Sequence, residues 1–440
     1  QRVAVLEGTA EVRGVFVRTY LSPLTARARF RASDPALGRI FDAAAESYRA
    51  NAVDGFTDCP IRERAYWTGD TFFTARASRY LTGDASPEAL FLGNFFRPEP
   101  FDWSRYDSRG VDMSLAIPAL YPGGITGSNF IPNYMLWTVL QAAEYVREFG
   151  DRDFALRAKE RLLGILEFFR RFRNSDGLLE KLPGWVFIEW SKANELVQDV
   201  NYPSSMMYAA ALAAAADLYA MPELAAEAAA VRREIVRQSW NGRWFCDNAV
   251  RQADGTLKLS GECTETCQYC AFFFGTVTPE SHPELWNRLL DEFGPDRVKA
   301  GRHPEIWPCN FIFGTCQRLE LLSRAGRARQ IVEETRNRFL PMAERTGTLW
   351  EHLDERASCC HGFCAVAAEY LMRDVLGVRA IDRLSQKVKL RLPADMPLDW
   401  VEATVPLTSA SVAEIAWRKG PDGVPKYEIK LPEGWKGVLQ

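Results

Sequence analysis

From Asp34 to about Val378, apolar residues recur at three- and four-residue spacing, and no stretch between them alternates as a strand would. Phe41, Ala44, Ala45 and Tyr48 share one helical face. So do Leu136, Val139, Leu140 and Ala143; Leu162, Ile165, Leu166 and Phe169; and Met207, Ala210, Ala211, Ala214 and Leu218. Alanine, the strongest helix former, fills many of these positions. Stops such as Gly150-Asp151 and Gly377, and loops rich in Gly, Pro and aromatic residues, divide the region into roughly a dozen helices. That many helices without interleaved strands argues against a parallel α/β fold and for antiparallel helix pairs arranged in layers or a ring. The fold expected is mainly α, an (α/α)6 barrel.

The flanks change period. Residues 1 to about 30 carry short alternating bursts (Val12, Val15, Val17; Ala26, Ala28, Phe30) that predict strands. From about Ala380 the alternation returns in Val388, Leu390, Leu392; Val401, Ala403, Val405; Ala413, Ile415, Trp417; and Tyr427, Ile429, Leu431. Turn signals at Gly420-Pro421-Asp422-Gly423 and Pro432-Glu433-Gly434 bound the later strands. Three units are expected: 1–30, a short β segment; 31–379, a helical domain; and 380–440, a small β-sandwich-like domain.

Several function classes drop out on composition. The 440 residues are 47% hydrophobic, enough for a large core, and the net charge of −3 is spread without a basic cluster, so no nucleic-acid footprint is visible. No apolar run approaches the ~20 residues that span a bilayer, so no membrane partner is expected. Gln1 opens without a Met or a signal-like stretch, which leaves the compartment open between cytoplasm and periplasm. Ten cysteines invite a metal reading, with Cys263, Cys267 and Cys270 the tightest group. The four histidines, His282, His303, His352 and His361, supply no matched spacing, so neither metal nor cofactor is expected. Cys359, Cys360 and Cys364 suit free thiols used as small core residues of one helical stretch.

Chemistry concentrates in the loops. Asp58-Cys59-Pro60-Ile61-Arg62-Glu63-Arg64-Ala65-Tyr66-Trp67-Thr68-Gly69-Asp70 holds three carboxylates, two arginines and a tryptophan. Pro60 keeps the chain out of helix just before the charges, and Thr68 is placed to cap a helix running through Phe73 and Ala77. Other loops pair rings with polar groups: Phe101 to Asp107, Trp185 to Trp190, Asn201-Tyr202-Pro203 and Leu349-Trp350-Glu351-His352. Rings that stack on sugar faces beside groups that take hydroxyls are what a carbohydrate pocket requires. Glycoside hydrolysis needs one carboxylic acid and one carboxylate, and Glu63 and Glu351 suit those roles. An acid between two guanidiniums needs shielding, by burial or by pairing of the arginines with Asp58 and Asp70. A uronate-directed lyase, with Tyr106 or Tyr202 as base, and a non-catalytic sugar-binding protein use similar clefts and stay open at this point.

The pattern Asp-Cys-Pro-x-Arg-Glu-Arg-x-x-Trp-x-Gly-Asp resembles the signature of the bacterial α-L-rhamnosidases of glycoside hydrolase family 78. Thr348 to His352 resembles that family's later Trp-Glu segment, and Ser358 to Leu371 its Ser-x-x-His stretch. The resemblance spans about 30 to 440, with 31–379 as the catalytic domain, and residues 1–30 resemble the end of the β-domain that precedes the barrel in longer members. It implies an (α/α)6 barrel and an inverting exo-hydrolase that releases terminal α-L-rhamnose. It also implies Glu63 as general acid, Glu351 as general base, and Asp58, Arg62, Trp67, Asp70, Glu189, Trp190, Trp350 and His361 around the sugar. Ile61, Ala65-Tyr66, Cys360 and Cys364 depart from the family pattern, and Glu189 stands where an Asp is usual.

Overall fold

Helix ends fall where the sequence places its punctuation. Asp34 caps the first helix by accepting from Ala36 N, Gly150 closes another in the left-handed conformation (φ +68°), and Asp151 at once caps the next by accepting from Phe154 N. The computed structural model describes residues 6–11, 13, 14, 16, 20–123, 130–393 and 395–440. Among these are twelve α-helices: α1 (Pro35–Asn51), α2 (Thr68–Leu81), α3 (Ser86–Phe95), α4 (Pro132–Phe149), α5 (Arg152–Arg170), α6 (Tyr202–Tyr219), α7 (Pro222–Ser239), α8 (Glu265–Phe273), α9 (Pro283–Glu292), α10 (Cys316–Arg324), α11 (Ala328–Thr346) and α12 (Val366–Tyr370).

Their packing is cyclic. α2 touches α4, α4 touches α6, α6 touches α8, α8 touches α10, α10 touches α12, and α12 returns to α2. The intervening helices pack on the flanks of this series: α1 on α2, α11 and α12, α3 on α4, α5 on α4 and α6, and α7 on α6. Sequence character follows position. α6 is apolar almost all round and largely buried, whereas α5 buries one stripe, Phe154, Ala158, Leu162, Ile165, Leu166 and Phe169. Neighbours in the cyclic series are also joined by charge, Arg76 to Glu144 (2.5 Å) between α2 and α4, and Arg373, just past α12, to Glu320 of α10 (2.9 Å). Removing one partner from such a buried pair strands the other.

The expected C-terminal strands are present as β7 (Val378–Asp382), β8 (Lys387–Leu390), β9 (Trp400–Pro406), β10 (Val412–Lys419), β11 (Pro425–Lys430) and β12 (Lys436–Leu439). They are preceded in the chain by β1 (Arg29–Ala32), β2 (Val200–Asn201), β3 (Asn248–Arg251), β4 (Leu257–Leu259), β5 (Cys263–Thr264) and β6 (Ile306–Trp307). One antiparallel sheet runs β1-β9-β10-β11, with Phe30 opposite Ala403 and Ala403 opposite Ile415; a second runs β12-β8-β7. Strand β1 is therefore the edge of the C-terminal sheet. Trp417 of β10 is fully buried and donates its indole N–H to Val375 O, which fixes the sheet to the end of the helical region.

Some expectations change. Ala26 lies in a short 3-10 turn, Leu24–Arg27, instead of a strand, and Val12, Val15 and Val17 fall outside the described residues. Strands β2 to β6, two to four residues each, pair between helices where no alternation marks them. Cys359 and Cys360 are half-buried in a loop, and only Cys364 enters a helical turn, Gly362–Ala365. Cys263, Cys267 and Cys270 are buried free thiols, and among the described residues no three His, Cys, Asp or Glu are placed to share a metal ion. Among the described residues no helix is long and apolar enough to cross a membrane.

Candidate active site

The loop before α2 is closed by its own first residue. Asp58 N donates to Ala65 O (3.0 Å) and Asp58 Oδ1 accepts from Ala65 N (2.8 Å), so residues 59–64 project as a finger. Arg64 completes the return at φ +50°. Gly362 N donates to Asp58 O (2.8 Å), which fastens the finger to the segment that follows Glu351. Helix α2 then starts at Thr68, one residue earlier than a Thr68 cap requires. Trp67 is the N-cap, and the Thr68 hydroxyl donates instead to Ala119 O (3.1 Å). Gly69 is dictated by Tyr134 of α4, since a methyl at that position would run into the Tyr134 ring.

At the finger's tip one guanidinium touches both proposed catalytic carboxylates. Arg62 Nη1 lies 2.7 Å from Glu63 Oε1 and Arg62 Nη2 lies 2.7 Å from Glu351 Oε2, while Arg62 Nε donates to Ser358 Oγ (3.0 Å). Because the fork is rigid and planar, the two bound oxygens lie no more than about 8 Å apart. The sequence-based pairing of the arginines with Asp58 and Asp70 does not occur. Arg62 sits on the glutamates, and Arg64 lies over the Tyr20 ring (5.4 Å). The two carboxyls differ in setting: Glu63 is 35% exposed and accepts from Trp67 Nε1 (2.6 Å), whereas Glu351 is 7% exposed and its Oε2 also accepts from Ser358 N (3.2 Å).

Behind them lie buried polar groups with unused capacity. Asp58 Oδ2 and His361 Nδ1 are buried without a partner, which is uncommon for a folded interior and expected where a ligand's hydroxyls bind. Burial pushes the Asp58 carboxyl up, and burial together with the charges of Asp58 and Glu351 holds Asp70 well above the usual carboxylate range. Asp70 Oδ1 accepts from Tyr134 OH (3.1 Å), and the Tyr134 ring meets Trp67 edge-on (6.2 Å between centroids). Burial and the Arg62 charge bring His361 down to about 3, so its imidazole is neutral at ordinary pH.

The remaining sequence candidates divide. Trp190 is 39% exposed and packs against Trp185 (5.5 Å) and the His352 ring (5.9 Å). His352 in turn lies 3.8 Å from Glu351, which sets Trp190 beside the carboxylates. Glu189 and Trp350 are placed otherwise. Glu189 is fully buried, and its oxygens accept from Thr266 Oγ1 (2.5 Å), Ser191 Oγ (2.7 Å) and Gly314 N (3.0 Å), all of them the protein's own donors. Burial lifts it to about 7. Trp350 is buried with its indole N–H on Thr346 Oγ1 (2.8 Å), a packing role. Tyr134, Ser358, His352 and Asn310 stand at the site without a role assigned from the sequence. Only His352 and Ser358 had a signal, their closeness to Glu351 and His361 in the chain. Of the tyrosines considered as lyase bases, Tyr202 is buried at the start of α6 and donates to Gln238 Oε1, and Tyr106 is packed on Trp103 and Phe130. A cavity of about 790 Å³ lies between α1 and the C-terminal sheet and is lined by none of these residues; Arg418 pairs there with Glu402 (2.7 Å) and Lys430 with Glu414 (2.9 Å).

The model of the bacterial α-L-rhamnosidase six-hairpin glycosidase domain matches residues 25–375. The chain belongs to that family. Among solved structures it is similar to a family 78 rhamnosidase of Bacillus sp. GL1, with 22% identity and a TM-score of 0.79 over 95% of this chain and 44% of that one. It is also similar to the Streptomyces avermitilis α-L-rhamnosidase complexed with L-rhamnose (16%, TM-score 0.69, 95% of this chain and 38% of that one). A Klebsiella oxytoca rhamnosidase with rhamnose bound gives 17% identity and a TM-score of 0.61, over 78% of this chain and 65% of that one. The family member described here thus spans less than half the length of the first of these relatives. No curated protein matches it.

Proposed function

We propose that this family member is an inverting exo-glycosidase that removes terminal α-L-rhamnose, with Glu63 as general acid and Glu351 as general base. The observation that carries the reading is the Arg62 guanidinium spanning Glu63 and Glu351, two residues far apart in the chain that share one site. In the reaction the Glu63 carboxyl gives its proton to the glycosidic oxygen as the bond to the anomeric carbon breaks. A water attacks that carbon from the opposite face and passes its proton to Glu351. A separation of up to about 8 Å overlaps the ~6.5–9.5 Å span of inverting pairs, but the ~5 Å of retaining pairs also fits beneath it, so inversion rests on the family resemblance.

Asp58, Asp70, Trp67 and His361 are proposed to hold the sugar, with the free valences of Asp58 Oδ2 and His361 Nδ1 aimed at hydroxyls. Trp190 offers a partly exposed ring for stacking. The Streptomyces protein is complexed with L-rhamnose and the Klebsiella protein has rhamnose bound, which favours rhamnose as the sugar. The cyclic helix order supports an (α/α)6 barrel over 31–379, followed by a β-domain over 380–440. The test is turnover of an aryl α-L-rhamnoside by wild type, Glu63→Gln and Glu351→Gln. Each variant is expected to lose at least about 100-fold in kcat. Undiminished turnover in both would remove the assignment, and release of an unsaturated product from uronate polymers would replace it with a lyase.

A further inference from the structure

The two oxygens of Glu351 are not equivalent. Oε2 is taken by Arg62 Nη2 (2.7 Å) and Ser358 N (3.2 Å), which leaves Oε1 to receive a proton. His352 Nε2 lies 3.8 Å from Oε1. That is too long for a direct hydrogen bond and is a span that one water can bridge.

The tautomer of His352 is set by Asn310. Asn310 Oδ1 accepts from Phe311 N (2.8 Å) and Leu353 N (3.4 Å), so its other face is the amide nitrogen. That nitrogen donates one hydrogen to Trp190 O (2.8 Å) and directs the second at His352 Nδ1 (3.0 Å). Nδ1 must therefore accept, and a neutral imidazole then carries its hydrogen on Nε2, toward Glu351 Oε1. The ring is held in plane by Trp190, 5.9 Å away and tilted by 31°.

We propose that His352 Nε2–H and Glu351 Oε1 together hold the attacking water, with Asn310 as the positioning residue that fixes the His352 tautomer. The proposal rests on Glu351 being the general base. As the water oxygen bonds to the anomeric carbon, its proton goes to Glu351 Oε1. His352 keeps its own proton throughout and serves as a donor that fixes where the oxygen sits.

Steady-state kinetics on an aryl α-L-rhamnoside test this with wild type, Glu351→Gln, His352→Phe, His352→Gln, Asn310→Asp and the double variant Asn310→Asp/His352→Phe. His352→Phe is expected to lower kcat by about 10- to 100-fold with KM within about 3-fold, and His352→Gln, which can still present an N–H, to recover part of the loss. Asn310→Asp turns the acceptor toward Nδ1, flips the tautomer and removes the hydrogen facing Glu351. It should cost a similar factor in wild type and nothing more when His352 is already Phe. Equal losses from Asn310→Asp in both backgrounds would overturn the proposal, as would a kcat within about 2-fold of wild type for a folded His352→Phe or, should that variant not fold, for His352→Gln. An active Glu351→Gln, or a wild type that does not turn over, would instead take away the reading beneath it.

Discussion

Single residues at this site are explained by what they touch. The glycine of the Trp-Thr-Gly-Asp sequence is there because the Tyr134 ring occupies the space a side chain would need, and Tyr134 in turn holds Asp70. Gly69→Ala is expected to cost about 1–3 kcal/mol, read as a lower midpoint in urea denaturation, because the ring and α2 must separate. An unchanged midpoint would mean that Tyr134 yields freely. The residues of the finger could be read from the sequence, since so many charges beside one proline and one tryptophan have few uses. Glu189 could not. Between Ile188 and Trp190 it looks like any acid near a pocket, and the donors that bury it come from positions 191, 266 and 314. Asn310 left no trace in local sequence for the same reason.

At the scale of elements, Glu189 is a junction between the loop that carries Trp185 and Trp190, helix α8 through Thr266, and the turn through Gly314. Phe313, beside that turn, is held at φ +64° and stacks on Trp137 (5.0 Å), so the turn is strained as well as tied. Burial gives the junction a pH dependence. The folded protein keeps the Glu189 proton up to about pH 7, while the unfolded chain releases it near 4.5, so between those values the native state binds the extra proton and stability falls as pH rises. Gln carries no such penalty, and the Thr266 and Ser191 hydroxyls can rotate to accept from its amide. Glu189→Gln should match wild type near pH 5 and exceed it by on the order of 3 kcal/mol near pH 8. Urea midpoints at the two pH values check this; a difference that does not change with pH counts against the buried-carboxyl account.

For the whole molecule, the helical regime was legible because the 3.6-residue period is local, and twelve helices appear where roughly a dozen were expected. The closure of the cycle by α12 on α2 and the pairing of β1 with β9 were not, because both join residues hundreds of positions apart. Those long-range joints make the C-terminal sheet part of the fold. Trp417→Ala is expected to cost about 3–5 kcal/mol, and a chain ending at residue 379 to be insoluble, since β1 loses its partner and the helix ends their cover. A soluble truncated chain with a cooperative melt would contradict that. The same architecture brings Glu351 to the finger that carries Glu63, and the stereochemistry of the first product tests that pairing most directly. Proton NMR of an aryl α-L-rhamnoside digest, read before mutarotation, should show β-L-rhamnose first. First release of the α anomer, or no rhamnose at all, would contradict an inverting Glu63–Glu351 pair.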